Sequence, residues 1–182
     1  MSTKTLEDFI NDTVIDEIGI MVYTPRLKYL SFFVMSSAIE FLGACLDKEG
    51  FHKKGISETR FKEAINELNS FGRYRGFIGG GSGVDLYAEL RCGLLHAGLP
   101  QDHIELTEHA DRVCGRMHLQ PPVTLVGRIT NPRLILVCED LYGDICGAAK
   151  EVIAKMKADM GQNYKKADMP FLATDISIAG TP

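Results

Sequence analysis

The chain has 182 residues and a mass of 20.1 kDa, enough for one ordinary domain and too little for two full ones. Hydrophobic residues make up 45% and charged residues 24%, which excludes intrinsic disorder over most of the length. A net charge of −4 and a pI of about 5.7 exclude attraction of the whole molecule to nucleic acid or anionic membrane, so any nucleic-acid site has to be a local basic patch.

Apolar residues at Leu6, Phe9, Ile10, Val14, Ile18 and Met21 predict a first amphipathic helix over 5–21, with Glu7 and Asp8 in the turn where the helix dipole favours acid. Pro25 interrupts it and suits the first turn of a second helix. That helix, over about 26–46, carries Leu27, Leu30, Phe33, Val34, Ser37, Ile39, Phe41, Leu42 and Cys45 around most of its circumference. The pattern predicts a central helix packed on several sides, with Phe33, Phe41 and Leu42 in the core. Lys28, Ser31, Ser36, Ser37 and Glu40 favour that reading over a membrane span.

Ser57 is placed to cap a third helix, with Phe61, Ile65 and Leu68 as its buried stripe. Residues 71–83, FGRYRGFIGGGSG, read as a glycine-rich mobile loop. The glycines lack the Gly-Lys-Ser/Thr ending of a P-loop and follow no strand, so a nucleotide cradle is not expected. Arg73 and Arg75 form the local basic patch, placed to contact a backbone phosphate. Ser82 and Asp85 fit a capping box for a fourth helix over about 84–98, with Leu86, Leu90, Leu94 and Ala97 inside.

From Gln101 onward the pattern changes. Two β-branched runs on either side of Thr130-Asn131-Pro132 predict a β-hairpin within 121–138, and 103–107 and 113–119 offer further short strands. Asp140 is placed to cap a fifth helix to about residue 160, with Leu141, Ile145, Ala148, Ala149, Val152, Ile153 and Met156 periodic. The expected fold is mainly α: one domain over 1–160, an up-and-down four- or five-helix bundle with a β insert at about 101–138 before the last helix. Residues 161–182 read as a loosely ordered tail.

The five cysteines, Cys45, Cys92, Cys114, Cys138 and Cys146, form no CxxC pair, and the opening MSTKTLEDFINDT has no apolar signal core. Both features predict a cytoplasmic protein with reduced thiols. His103, His109, Cys114 and His118 are zinc-ligand types, but no CxxC or HxxxH spacing supports a site. No metal and no cofactor are expected. Glu139 and Asp140 read as helix-capping acids, not as a catalytic pair.

The fourth helix carries the chemistry. Its sequence Leu86-Tyr87-Ala88-Glu89-Leu90-Arg91-Cys92-Gly93-Leu94-Leu95-His96 separates Arg91 and His96 by four residues. On an ideal α-helix five positions amount to about 140° of rotation, so the two side chains would not lie in one row. Histidine moves protons near neutrality, and an arginine fork holds a phosphate and its developing charge. Arg91 is therefore the candidate phosphate clamp and His96 the candidate acid/base. Tyr87, four positions before Arg91, is placed to stack on the guanidinium or on a base. In the alternative, Arg91 pairs with Glu89 or Glu40, and His96 answers the helix dipole in the last turn.

The LRCGLLH string, an R-x4-H motif on a long helix of a small helical domain, resembles the HEPN-like superfamily. The similarity covers roughly residues 5–100 and 139–160. The resemblance implies a homodimer in which two motifs meet, and in active members a metal-independent cleavage of RNA that leaves a cyclic phosphate. Active members usually carry a polar residue directly after the arginine, often Asn, Asp or His; here that residue is Cys92. The alternative is a non-catalytic helical dimer that binds a protein or nucleic-acid partner. No membrane partner is expected.

Overall fold

A computed structural model describes residues 5–79, 83–110, 117–120, 123–125, 128–131 and 133–158. Thr5 opens the first helix with a reciprocal cap. Its hydroxyl accepts the Asp8 N–H at 3.1 Å, and Asp8 Oδ2 accepts the Thr5 N–H at 3.0 Å. Helix α1 (6–23) then runs as α-helix over Leu6–Phe9, as a wider π-wound stretch over Ile10–Glu17, and as α-helix again over Ile18–Tyr23. Its buried residues Leu6, Ile10, Val14, Ile18 and Val22 recur every four positions. A strict four-residue repeat drifts forward around a 3.6-residue helix and backward around a wider one, so mixing the two windings keeps the apolar row straight.

A 3₁₀ turn at Pro25–Leu27 leads into α2, Lys28–Leu46. Phe32, Met35, Ala38, Ile39, Leu42 and Cys45 are buried. The expectation of burial on nearly every side is corrected here. Phe33 and Phe41 are only partly buried, and Leu30 and Val34 are 50% and 36% exposed. Helices α1, α3, α5 and the helix over Tyr87–Ala97 pack on α2 and leave its outer stripe uncovered. By length and apolarity 25–46 passes for a membrane span, yet 56% of its most apolar window is buried within the protein.

Helix α3, Ser57–Glu67, packs more extensively on α2 than any other element. Ser57 is its first residue and not its cap; the cap position is Ile56, without a side-chain bond. Phe61, Ile65 and Leu68 are buried as the stripe predicts. Arg60 is buried too, because Asp47 accepts from its Nε at 2.5 Å and the carbonyls of Gly50 and Phe51 take its other nitrogens at 2.9 and 3.0 Å.

Residues Asn69–Phe77 form a 3₁₀ helix where a glycine-rich loop was expected. Glu151 anchors its start, accepting the Asn69 N–H at 2.7 Å, the Ser70 N–H at 2.8 Å and the Ser70 hydroxyl at 2.6 Å. Phe71 and Tyr74 are thereby drawn into the core. Ser82 of the proposed capping box lies outside the described residues. Asp85 caps by itself, its Oδ1 accepting the N–H of Tyr87 at 2.9 Å and of Ala88 at 3.3 Å. Helix α4, Tyr87–Ala97, is π-wound throughout and stops at Gly98, whose φ of 75° ends it in the left-handed region. Leu86, Leu90 and Leu94 are buried, whereas Ala97 faces solvent.

The strand pairing differs from the expected hairpin. Strand β1, Ile104–Thr107, runs parallel to β4, Leu134–Val137, with Ile104 opposite Leu134 and Thr107 opposite Val137. Between them in sequence, β2, Val123–Leu125, pairs antiparallel with β3, Arg128–Asn131. The first β-branched run thus finds its partner before Pro132, and the second is the wholly buried strand β4. A continuous apolar run such as LILV suits a strand covered on both faces. The Leu119 N–H donates to the Ile135 carbonyl at 2.8 Å, but 117–120 is not a strand, and 113–116 lie outside the described residues.

Helix α5, Cys138–Ala158, continues from β4 without a loop. Asp140 therefore sits in its first turn and is not its cap. Leu141, Ile145, Ala148, Ala149, Val152 and Ile153 are buried as predicted. Lys28 of α2 binds Glu108, after β1, and Glu139 at 2.7 Å, so one ammonium ties the end of β1 and the start of α5 to α2. The fold is mainly helical with a small parallel sheet. The expected tail at 161–182 lies outside the described residues.

Candidate functional site

The winding of α4 changes the geometry expected of its motif. In a π-wound helix the N–H of residue i+5 reaches the carbonyl of residue i, which brings residues five apart towards the same face. Arg91 and His96 are five apart on this stretch, so their separation is smaller than the roughly 140° expected of an α-helix. His96 is solvent-exposed in the last turn, and Arg91 is partly buried.

Arg91 is held from α2. Its Nε lies 2.8 Å and its Nη2 2.6 Å from the same oxygen, Oε2 of Glu40. The side chains of Arg91 and Glu40 are 16% and 20% exposed. Burial pulls the Arg91 guanidinium towards a lower pKa, and the Glu40 carboxylate more than offsets it. The guanidinium also lies over the Tyr87 ring, 5.6 Å from its centroid, and that ring packs edge-on against Phe61 at 5.7 Å. Tyr87 thus supports Arg91 from one helical turn away. Burial, with the Cys92 thiol beside the hydroxyl, raises the Tyr87 pKa.

The Glu40–Arg91 pair borders a cleft of about 460 Å³ between α1, α2, α4 and the turn after α2. Phe9, Phe41 and Phe51 supply its apolar wall. Glu40 was legible as one candidate partner of Arg91. The aromatic cleft was not, because Phe9 and Phe41 read as core residues and Phe51 lies in no periodic segment.

The other sequence candidates lie elsewhere. Arg73 is bound to Asp144 of α5 through Nε at 3.0 Å and Nη2 at 2.5 Å, the same arrangement in which Glu40 holds Arg91. Arg75 donates from Nε to the Ile65 carbonyl at 3.3 Å. Neither is brought to Arg91. The histidines are likewise separately engaged. His103 faces Glu89 at 3.1 Å and His109 faces Asp140 at 3.2 Å. His118 accepts the Val137 N–H on Nδ1 at 2.9 Å, which leaves its proton on Nε2 for the Tyr74 oxygen at 2.7 Å. Tyr74 in turn donates to Asp144 at 2.5 Å. Among the described residues no cluster of three or more His, Cys, Asp or Glu side chains is arranged to hold a metal ion, and Cys114 lies outside them.

The arrangement on α4 thus offers an exposed imidazole and, five residues before it, a guanidinium that Glu40 holds at the border of an apolar cleft. Comparison with family models, with curated proteins and with solved structures finds no match for this chain.

Proposed function

We propose that the chain is a HEPN-like helical bundle that pairs with a second copy, and that the pair cleaves single-stranded RNA without a metal through Arg91 and His96. The observation that supports this reading is the π winding of α4, on which Arg91 and His96 are five residues apart with the imidazole in solvent. In the proposed reaction one imidazole takes the proton of a ribose 2′-hydroxyl. The 2′-oxygen then attacks the adjacent phosphorus, and the 5′-oxygen leaves with a proton from a second imidazole supplied by the second copy. The products are a 2′,3′-cyclic phosphate and a 5′-hydroxyl, and Arg91 stabilises the charge that builds on the phosphoryl oxygens.

Pairing is supported by the uncovered apolar side chains next to the motif. Leu30, Leu95 and Leu99 are 50%, 42% and 63% exposed. Tyr29 joins the two elements that carry them, donating to the Gly98 carbonyl at 2.6 Å. Exposed leucines grouped in this way are unfavourable in water and suit a self-complementary two-fold contact.

A second reading is a non-catalytic dimer that binds a protein or nucleic-acid partner. It is favoured by the capture of Arg91 by Glu40 and by Cys92 in place of a polar residue. The two readings separate in one experiment on purified protein. Cleavage of single-stranded RNA that resists chelators and is lost in His96→Ala, typically by about 10²–10⁴-fold, supports the nuclease. Absence of cleavage by a dimeric wild type supports the second reading. A monomer in sedimentation at tens of micromolar, roughly the range where a modest dimer forms, rejects both.

A further inference from the structure

We propose that His118 is a proton-operated latch, which fastens the turn 117–120 to the outer edge of β4 while its ring is neutral and releases it when the ring is protonated. The proposal is independent of the reading of Arg91 and His96. Alternate N–H groups of a strand point to opposite edges. The Leu134 N–H of β4 faces the β1 side, where the His103 carbonyl accepts it at 2.7 Å. Ile135 and Val137 face the other way, towards 117–120. Ile135 exchanges two main-chain bonds with this turn, donating to the Gln120 carbonyl at 3.3 Å and accepting the Leu119 N–H at 2.8 Å. At the next outward position the acceptor is a side chain, because the Val137 N–H donates to His118 Nδ1 at 2.9 Å. A titratable ring thus stands where a neighbouring strand would supply a carbonyl.

The imidazole is 3% exposed, and both its nitrogens are engaged. Nδ1 accepts, so the ring proton is on Nε2 and is donated to the Tyr74 oxygen at 2.7 Å. Burial and the Asp144 carboxylate push the Tyr74 pKa well up, so the phenol keeps the proton that it gives to Asp144 at 2.5 Å. The neutral ring satisfies every bond in this chain. A second ring proton goes on Nδ1, where it points at the Val137 N–H. Two donors then face each other, and a buried N–H loses its acceptor. Asp144 Oδ2 lies 3.9 Å from Nε2 and favours a charged ring, but Arg73 already holds that oxygen through Nε and Nη2. Asp140, one turn earlier on α5, acts on Arg73 and faces His109. Strand β4 brings no ionisable side chain to the ring. The turn is also strained. Leu119 has a φ of 55°, in the left-handed region that a branched side chain disfavours, and such a conformation persists only while its surroundings hold it. Gln120 and Met117 close the turn on itself with two bonds of 3.1 Å, so it leaves β4 as one piece.

The test is NMR of the full-length, ¹⁵N-labelled protein, titrated from about pH 8 into acid across the histidine range. Ring nitrogen shifts read the protonation of His118, and amide exchange, corrected for its intrinsic pH dependence, reads β4. At the pH where the ring takes its second proton, protection at Val137 and Ile135 is expected to fall by about ten- to a hundredfold, the usual range for leaving a buried donor unpaired. Protection at Leu134, on the β1 side, is expected to hold. In His118→Asn a side-chain oxygen can take the place of Nδ1 without titrating, so the step at Val137 should vanish. If that variant does not fold, the wild-type titration decides alone. Unchanged protection at Val137 once the ring is doubly protonated overturns the latch. So does a ring that stays neutral until the whole protein unfolds, or a loss at Leu134 in parallel with Val137, which would mean that β4 comes apart as a whole. The same step in a folded His118→Asn protein assigns it to another group and also overturns the proposal.

Discussion

The Tyr142 hydroxyl fills the space that a Cβ on Gly19 would need, at a separation of 2.5 Å. That hydroxyl donates to the Ile15 carbonyl at 2.8 Å, in the π-wound part of α1 just before the winding tightens at Ile18. A side chain from α5 thus supplies a donor where the two windings meet. Burial, with the neighbouring Cys146 thiol, raises the Tyr142 pKa, as befits a hydroxyl that stays protonated to donate. Gly19→Ala is expected to destabilise by about 1–3 kcal/mol through overpacking. In a Tyr142→Phe background the same change should cost less, because the clashing oxygen is gone. Urea midpoints of the four proteins measure the coupling, expected to exceed about 0.5 kcal/mol. Strict additivity contradicts the contact.

Gly43 presents a harder constraint. A Cβ there would lie 1.8 Å from the Arg60 carbonyl oxygen, which is backbone and cannot rotate aside. Gly43→Ala is expected to cost at least the upper end of the roughly 1–3 kcal/mol typical of overpacked sites. A thermal midpoint within a degree or two of wild type would show that α2 and α3 do not cross so closely.

Glu151 sets part of the acid sensitivity. Burial pushes its carboxyl up, but the Ser70 hydroxyl and the N–H groups of Asn69 and Ser70 outweigh that and hold it below the ordinary value of 4.5. With a folded pKa below the unfolded one, its stabilisation is complete above the unfolded value and is lost as pH falls through the folded value. Glu151→Gln is expected to cost about 1–2 kcal/mol at neutral pH, discounted for partial exposure. The gap between wild type and variant should close in acid. A gap that stays constant from neutral pH to well below pH 4.5 would show that the carboxylate charge is not what anchors the 3₁₀ helix.

Leu42 and the pair Leu30/Val34 separate the core of α2 from the exposed stripe proposed above as a contact surface. Leu42 is fully buried, and Leu42→Ala is expected to cost about 2–5 kcal/mol. Leu30→Ser with Val34→Ser should change the monomer's stability by only about 0.5 kcal/mol each, as surface substitutions do. The same double change should weaken self-association in sedimentation. An unaltered dimer would place the two-fold contact on another face.

The buried rows of α1, α3 and α5 were legible because a half-buried helix repeats its apolar residues at three and four positions. Helix α2 misled, since Leu30, Phe33 and Val34 have the composition of core residues and the pattern does not tell a second core face from an exposed apolar one. Pairing of the strands was hidden for a related reason. Leu134–Val137 is apolar throughout, so its alternation does not reveal which face or partner it seeks. On α4 the residue types were legible and the winding was not, because the LRCGLLH string does not distinguish i→i+4 from i→i+5 bonding. The cleft depends on Phe51 reaching back from a turn onto Phe41, a contact that no local periodicity encodes.

The parallel pairing of β1 and β4 bears on how the excursion 108–133 can change over time. A parallel connection leaves at the far end of one strand and has to return to the near end of the next, so a tight turn cannot replace it. Such crossovers need about a dozen residues at minimum. The excursion exceeds that length, so related chains have room to trim or enlarge the β2–β3 ribbon while β1, β4 and the start of α5 stay in register. Excision down to a few residues would force β4 to give up its partner, and α5, which grows directly from it, would lose its anchor on Lys28. Length variation in this protein's lineage is therefore expected to gather in 108–133 and to stop short of removing the crossover.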